Sequence, residues 1–374
     1  MRPVIRAEIS IVFLAAGAVL LLATLWDAFE TMVLSRRVSR GHRLTTIFYR
    51  LTWPSWRALA RRIERGNRRE NFLTVYGPLW LLLLIALWAF SIVLAFALMH
   101  WGTGSRMTAP DGHDSFFTTL YMSGTTLFTL GLGDVVPHSP VGRYLTVFES
   151  GIGLGFVALV ISYLPVVSQA FSRREAQIAL LDARAGSPPT AAELLRRHLG
   201  DGGSDALVDL LRDWERWAAE LLESHVSFPV LAFYRSQHDN QSWVAGMTAM
   251  LDSCALILTV VDTDCRRQAR LTFAMAHHAV ADMCRVLDTK PRPPEPDRLS
   301  PETRARLRER LEEAHIRLRG DPESAAELAD MRAMYEPMVA SLSALLLMDL
   351  PPWMPAKKPK ENWLVTSETP RTRL

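Results

Sequence analysis

Long apolar runs crowd the part of the chain before residue 172, and the pattern changes character after it. Ile9–Trp26 (ISIVFLAAGAVLLLATLW) carries no charge, and the run continues past Asp27 and Glu30 to Leu34. Val75–Trp101 contains no Asp, Glu, Lys or Arg and has Trp80, Trp88 and Trp101 along it. Tyr144–Phe171 is the third run, with Glu149 as its only charged residue. A helix needs about 20 apolar residues to cross a bilayer core. Lipid offers no hydrogen bonds to the backbone, so all three runs are expected to be spanning helices.

Beyond Phe171 the pattern is amphipathic and rich in Ala, Leu and charge. The third helix is expected to continue through SRREAQIALLDARA until Gly186-Ser187-Pro188-Pro189 stops it. Further helical periods fall at 190–199, 204–226, 241–262, 265–287, 302–319 and 322–349, with Pro-rich breaks at KPRPPEP (290–296) and 350–359. No convincing strand pattern is present. The expected organisation is an N-terminal spanning helix (1–34), a basic connector (35–74), a membrane segment (75–172), a helical domain (173–350) and a flexible tail (351–374).

Charge sets the orientation. Between Ser35 and Glu70 stand eleven arginines (36, 37, 40, 43, 50, 57, 61, 62, 65, 68, 69) against Glu64 and Glu70, a balance of 11 − 2 = +9. That connector belongs on the cytoplasmic side, which places the N-terminus outside and the C-terminal half inside. Its mixture of Leu44, Ile47, Phe48, Leu51, Trp53 and Trp56 with arginine predicts one or two amphipathic helices on an anionic inner leaflet. The spacing of Arg61, Arg62, Arg65, Arg68 and Arg69 superficially resembles a voltage-sensing helix, but those arginines lie among Glu64, Asn67 and Glu70, outside any apolar span. Residues 1–26 also differ from a signal peptide, because the run is long and no small-residue cleavage site follows it. Asp27 and Glu30 are expected to pair with Arg36, Arg37 or other inner-leaflet arginines. The net charge of +3 does not suggest nucleic-acid binding, and Cys254, Cys265 and Cys284 have no C-x-x-C spacing.

Between the second and third spans, Ser115–Leu130 (SFFTTLYMSGTTLFTL) is apolar and hydroxyl-rich, suited to a short helix that enters the membrane partway. TLGLGD follows, and the chain leaves through Val135, Val136 and Pro137. Irregular backbone at membrane depth is tolerated only when buried in protein or lining a watery path. Gly131 and Gly133 can adopt conformations closed to other residues, and alternating handedness can turn successive carbonyls toward one axis. One such strand makes one wall of a coordination cage, so several copies are required. Rings of carbonyls of this kind replace the hydration shell of potassium.

Thr126–Asp134, TLFTLGLGD, resembles the signature of potassium-channel selectivity filters, whose usual core is TVGYGD. Gly142-Arg143 opens the third span as in simple two-helix potassium channels, and Gly153 stands where their inner-helix hinge glycine is expected. The resemblance covers Val75–Phe171 and implies an all-α membrane protein. Its potassium-channel pore domain would comprise an outer helix (75–101), pore helix (115–128), filter (129–134) and inner helix (142–171). An extra N-terminal transmembrane helix would pack against the outer helix, and an all-α cytoplasmic domain would follow the inner one. One filter per chain implies a homotetramer, with three further copies as partners and K+ as the permeant ion rather than a cofactor. The implied ion sites are the carbonyls of Thr129, Leu130, Gly131 and Leu132 with the Thr129 hydroxyl, Gly133 completing the row and Asp134 at the outer mouth. Tyr121, Thr125, Thr126 and Glu149 are the expected filter supports, and Gly153 and Pro165 the bends of the inner helix. The implied location is the cell membrane, a bacterial inner membrane.

One departure from the family pattern concerns selectivity. Leu132 stands where the family usually has a tyrosine held by pore-helix aromatics. Its bracing is expected from packing against Tyr121 or Met122, giving a softer filter that still prefers potassium. Phe and Leu occur at this place in some second filters of two-pore-domain potassium channels. Glu149 is an ionisable group within a span, with either a filter-related or a purely structural role. GIGLGF (151–156) lies inside a span and follows no strand, so it is no nucleotide loop.

In the C-terminal half, His277, His278, Asp282 and Cys284 fall within two helical turns, and His225, Arg235 and His238 flank SFPVLAFYRS. Neither cluster carries a nucleophile–base or P-loop pattern, so no enzyme is expected and no metal beyond K+. A gating or assembly domain fits better. Two other readings stay open: a membrane-tethered sensor with a vestigial pore, and a weakly selective cation channel.

Overall fold

The computed structural model describes residues 3–34, 44–104, 107–108, 115–200, 204–237, 240–320 and 323–355. Arg36, Arg37, Arg40, Arg43, His238 and the tail from 356 onward lie outside the described residues. The chain divides into two compact units, Met1–Ser168 and Gln169–Leu374, each described by itself.

The first unit contains α1 (Pro3–Met32), α2 (Leu44–Ala60), α3 (Asn67–Gly102), α4 (Phe116–Leu127) and most of α5 (Pro140–Ala185). Ser10–Met32 of α1, and α3 and α5, are long and apolar enough to cross a membrane. The described β structure in this unit is one antiparallel pair, β1 (Met107–Thr108) with β2 (Val136–Pro137), in the register Met107↔Pro137 and Thr108↔Val136. The protein is thus an all-α membrane protein.

Helix α3 is the centre of this unit. Gly17, Leu21, Thr24 and Ala28 recur at helical spacing on α1 and are buried, while Ile11, Val12, Val19 and Leu22 are exposed. α1 packs on α3 through that buried stripe. Helix α2 runs antiparallel to the start of α3 through an aromatic seam. Phe48 meets Trp80, Trp53 meets Tyr76, and Trp56 stacks on Phe72 at 4.4 Å between centroids. The expected amphipathic helix therefore exists, but its aromatic face is covered by α3. Among the residues whose burial is described, Ile47, Leu51 and Leu59 are the large apolar ones it leaves exposed.

Asp27 corrects an expectation. Its partners among the described residues are not arginines. Oδ2 accepts from the Trp88 indole at 2.8 Å, the Thr45 hydroxyl at 2.8 Å and the Thr45 amide at 3.3 Å. Thr45 lies in the first turn of α2, where amides lack intrahelical acceptors and a carboxylate is favoured. One buried side chain thus ties α1 to both α2 and α3. Asp27→Ala is expected to free the start of α2 and expose Arg50 and Arg57 to trypsin several-fold faster. Unchanged digestion in membranes would show that the aromatic seam alone holds α2.

In the second unit, the end of α5 is followed by α6 (Ala191–Leu199), α7 (Asp205–Ser227), a 3-10 turn (Pro229–Phe233), α8 (Trp243–Thr259), α9 (Arg266–Val286), α10 (Pro301–Glu313) and α11 (Ser324–Leu346). Gly186, at φ 81°, ends α5, and its amide donates to the Asp182 carbonyl. All seventeen residues of α8 are buried, as an all-round apolar helix demands. α6, α9 and α11 pack directly around it, and α7 packs on α9. The helix expected at 302–319 stops at Glu313 instead. Ile316–Arg319 runs back along the end of α8, with Asp262 donating to Arg317 and Arg319 to Val260.

A charged network closes this unit. Asp252 of α8 accepts from the Tyr335 hydroxyl at 2.5 Å and from Arg298 at 2.6 Å. Arg298 also reaches Glu336 at 3.1 Å and the Pro351 carbonyl at 2.8 Å, with its guanidinium over Trp353. Arg332 bonds Asp297 and Glu336 and covers the same ring. Burial works against the Arg298 charge, but Asp252, Tyr335 and Glu336 together hold its proton more tightly than usual.

Candidate functional site

The site is built from α4 and the loop after it. The Ser115 hydroxyl caps α4 by accepting the Thr118 amide at 3.2 Å. At the other end the helix unwinds into turns. The Thr129 amide donates to Thr126 O at 3.0 Å, and Thr125 O receives the amides of Leu130 at 2.8 Å and Gly131 at 3.3 Å. The C-terminal end of α4 directs its partial negative charge at this loop, which suits a cation.

Backbone handedness then alternates. Thr129 has φ 58°, Gly131 φ 55° and Gly133 φ 74°, while Leu130 and Leu132 between them keep ordinary negative φ. A β-branched residue with positive φ is a genuine outlier, costing about 1–3 kcal/mol. The two glycines bear the same geometry without that cost. Such an alternation can turn the carbonyls of one strand toward the same side. Residues 128–134 are exposed in the protomer, Leu130 and Leu132 each by 63%.

Leu132, whose bracing was expected from Tyr121 or Met122, is 63% exposed in the protomer. Met122 is buried instead with Met107 and Val135. Tyr121 takes another role. Its hydroxyl donates to Asp134 Oδ2 at 3.0 Å, while Asp134 Oδ1 accepts the Val135 amide at 3.0 Å. The loop is thus tied to α4 at its last residue rather than at position 132. Tyr121→Phe keeps the ring and removes this tie, so it is expected to accelerate loss of conduction during sustained activity by about tenfold, roughly one charge-assisted hydrogen bond. Wild-type time courses in that variant would show that the tie has no such role.

Beyond the loop, the Ser139 hydroxyl accepts the Gly142 amide at 3.0 Å and the Arg143 Nε donates to Pro137 O at 3.4 Å, which sets the start of α5. Gly153 lies directly against the end of α4, where a Cβ would collide with the Leu127 carbonyl. Close approach accounts for this glycine in a helix that runs from Pro140 to Ala185 and includes Pro165. Thr125 Oγ1 donates to Met122 O at 2.9 Å and Thr126 Oγ1 to the Met122 sulfur at 3.4 Å, so both hydroxyls serve α4 itself. Glu149 is fully buried, 3.5 Å from His100 of α3. His100 gave no signal in sequence, being one imidazole in an apolar run.

The described members of the polar clusters in the second unit make contacts within the fold. His278 is 3.5 Å from Asp282, which also binds Arg285 at 2.5 Å, and His277 stacks on Phe273. Among the described residues no group of three or more His, Cys, Asp or Glu side chains could hold a metal. Arg235 donates to the carbonyls of Leu346 and Leu347, closing the end of α11. His225 donates from Nδ1 to Leu221 O at 2.9 Å, leaving Nε2 to accept from Arg174 at 3.3 Å. Burial, and then the Arg174 charge, hold this imidazole neutral well below the usual histidine range. Arg174 also fills the carbonyls of Leu231 and Tyr234, at 2.7 and 2.8 Å, which fastens the end of α5 to the 3-10 turn. Sequence reading passed over Arg174 because SRREAQ looks like an ordinary solvated helix face.

Two membrane-capable helices thus flank a short helix and an exposed loop of alternating handedness. Residues 80–168, about a quarter of the chain, match the family model described as Ion channel, and this segment is a pore-loop channel domain. The chain is also 24% identical over 260 residues to the uncharacterized membrane protein YdjJ of Bacillus subtilis (strain 168), an alignment covering 65% of this chain and 74% of that protein. No solved structure matches it.

Proposed function

We propose that the chain forms a homotetrameric, potassium-selective channel that passes K+ down its gradient through Thr129–Asp134. The observation that carries this reading is the alternation of positive φ at Thr129, Gly131 and Gly133. Four such strands around an axis present stacked rings of carbonyls that can replace the water around a potassium ion. The carbonyls of Thr129, Leu130, Gly131 and Leu132 and the Thr129 hydroxyl line the path, and Asp134 draws cations to the mouth. The exposure of the loop supports assembly, since irregular backbone at membrane depth must be covered by protein or line water. The basic connector faces the inner leaflet of a bacterial cell membrane, with the N-terminus outside and the helical unit in the cytoplasm.

The inner segment of α5 carries the gate, and the helical unit regulates it through the covalent continuity of that helix. Reconstituted full-length protein should pass thallium and potassium through otherwise tight liposomes. A truncation after Gly186 should change the open fraction or the assembly. A protein that assembles but passes neither ion would favour a membrane-tethered sensor with a vestigial pore. Unaltered assembly and gating after truncation would remove the regulatory role.

A further inference from the structure

Three polar side chains meet behind the loop, one from each helix around it. His100 comes from α3, Ser123 from α4 and Glu149 from α5, and all three are completely buried. His100 Nε2 lies 3.5 Å from Glu149 Oε2, and the Ser123 hydroxyl faces the same carboxyl. Beyond these mutual approaches, the imidazole nitrogens, the Ser123 Oγ and the Glu149 oxygens have no other hydrogen-bond partner. So many under-satisfied polar atoms in one place are exceptional for a folded interior, where such groups are paired with protein or with ordered water. Because the protomer itself encloses them, a neighbouring copy cannot supply the missing partners. Water can, since it needs two to four polar partners and these side chains provide them.

We propose that His100, Ser123 and Glu149 form a buried water-binding site behind the filter, and that Glu149 holds a proton there as a carboxylic acid. An ionised carboxylate at this depth would face one imidazole and one hydroxyl, far too little to offset its desolvation. Among the described residues the surroundings supply no other charge. The charge-free stretch Ser10–Trp26 is the part of α1 near the end of α3, with Gly102 against Ser10 and Leu14. α4 contains no Asp, Glu, Lys, Arg or His, and its Tyr121 is engaged with Asp134. On α5, Arg143 is bonded to Pro137. Ser123 and Glu149 each stand one helical turn before the contact between Leu127 and Gly153. The hydrated cluster therefore braces the end of α4 from behind.

The bracing role rests on the proposed potassium channel, whereas the water site does not. Infrared difference spectra of the full chain in liposomes, wild type minus Glu149→Gln, test the site directly. A protonated-carboxyl carbonyl band is expected at neutral pH, moving to lower frequency in D2O as the bridging water exchanges and shifting in Ser123→Ala. No such band, or one indifferent to D2O and to Ser123→Ala, would overturn the site. Glu149→Leu conserves bulk but expels the water. Its potassium-over-sodium preference is expected about tenfold below that of Glu149→Gln at equal oligomer yield, about the worth of one lost buried hydrogen bond. Equal preferences in the two variants would overturn the bracing role. A correct band in a protein that never conducts would leave the water site standing and defeat the channel reading instead.

Discussion

Gly131→Ala is expected to reduce potassium flux to the leak of empty liposomes while leaving the protein folded and assembled. Gly131 has φ 55°, and a Cβ placed on it meets nothing within 4 Å in the protomer. Steric damage to the isolated chain is therefore absent, and the backbone cost of a left-handed alanine is only about 1–2 kcal/mol. That sum is small beside the packing of α3 with α1 and α4. In the proposed channel it is large, because a carbonyl row there must match an ion's hydration shell and four chains would incur the cost together. A relaxed alanine would turn its peptide away from the proposed axis and interrupt the row between two of the proposed sites. Equal flux in wild type and variant would mean that ions do not pass along this backbone.

Arg298→Ala should destabilise the helical unit by about 3–5 kcal/mol, because it strands Asp252 as a buried carboxylate without its cation and leaves Glu336 to Arg332 alone. Arg298 further bonds the Pro351 carbonyl and covers Trp353, so the 351–353 segment should detach with it. Thermal unfolding followed by tryptophan fluorescence measures both effects. The double variant Asp252→Leu with Arg298→Met should recover much of the loss, since an apolar replacement leaves no buried charge unpaired. A loss under about 1 kcal/mol for Arg298→Ala would show that water solvates this network in the native state.

What was legible in the sequence follows from the kind of physics each feature obeys. Spans declare themselves by length and by the absence of charge, so α1, α3 and α5 were visible. The loop was visible because glycines alternating within an apolar segment have few other uses. Periodicity reports which face is buried but not which partner it meets. Tyr121 reaches Asp134, Asp27 reaches Thr45 and Trp88, and Asp252 reaches Tyr335 across separations that no local pattern encodes. The positive φ of Thr129 was equally hidden, because a threonine gives no sign of a left-handed backbone. Gly153 was legible as a special position, and the structure adds a reason in its contact with Leu127.

The central claim is that the strand Thr129–Asp134, repeated around an axis, selects potassium. Reversal potentials of the reconstituted full-length protein, with potassium on one side of the membrane and sodium on the other, test it most directly. A potassium-selective strand displaces this potential far toward the potassium equilibrium value, with no current in Gly131→Ala under the same gradient. A reversal potential at zero would contradict it.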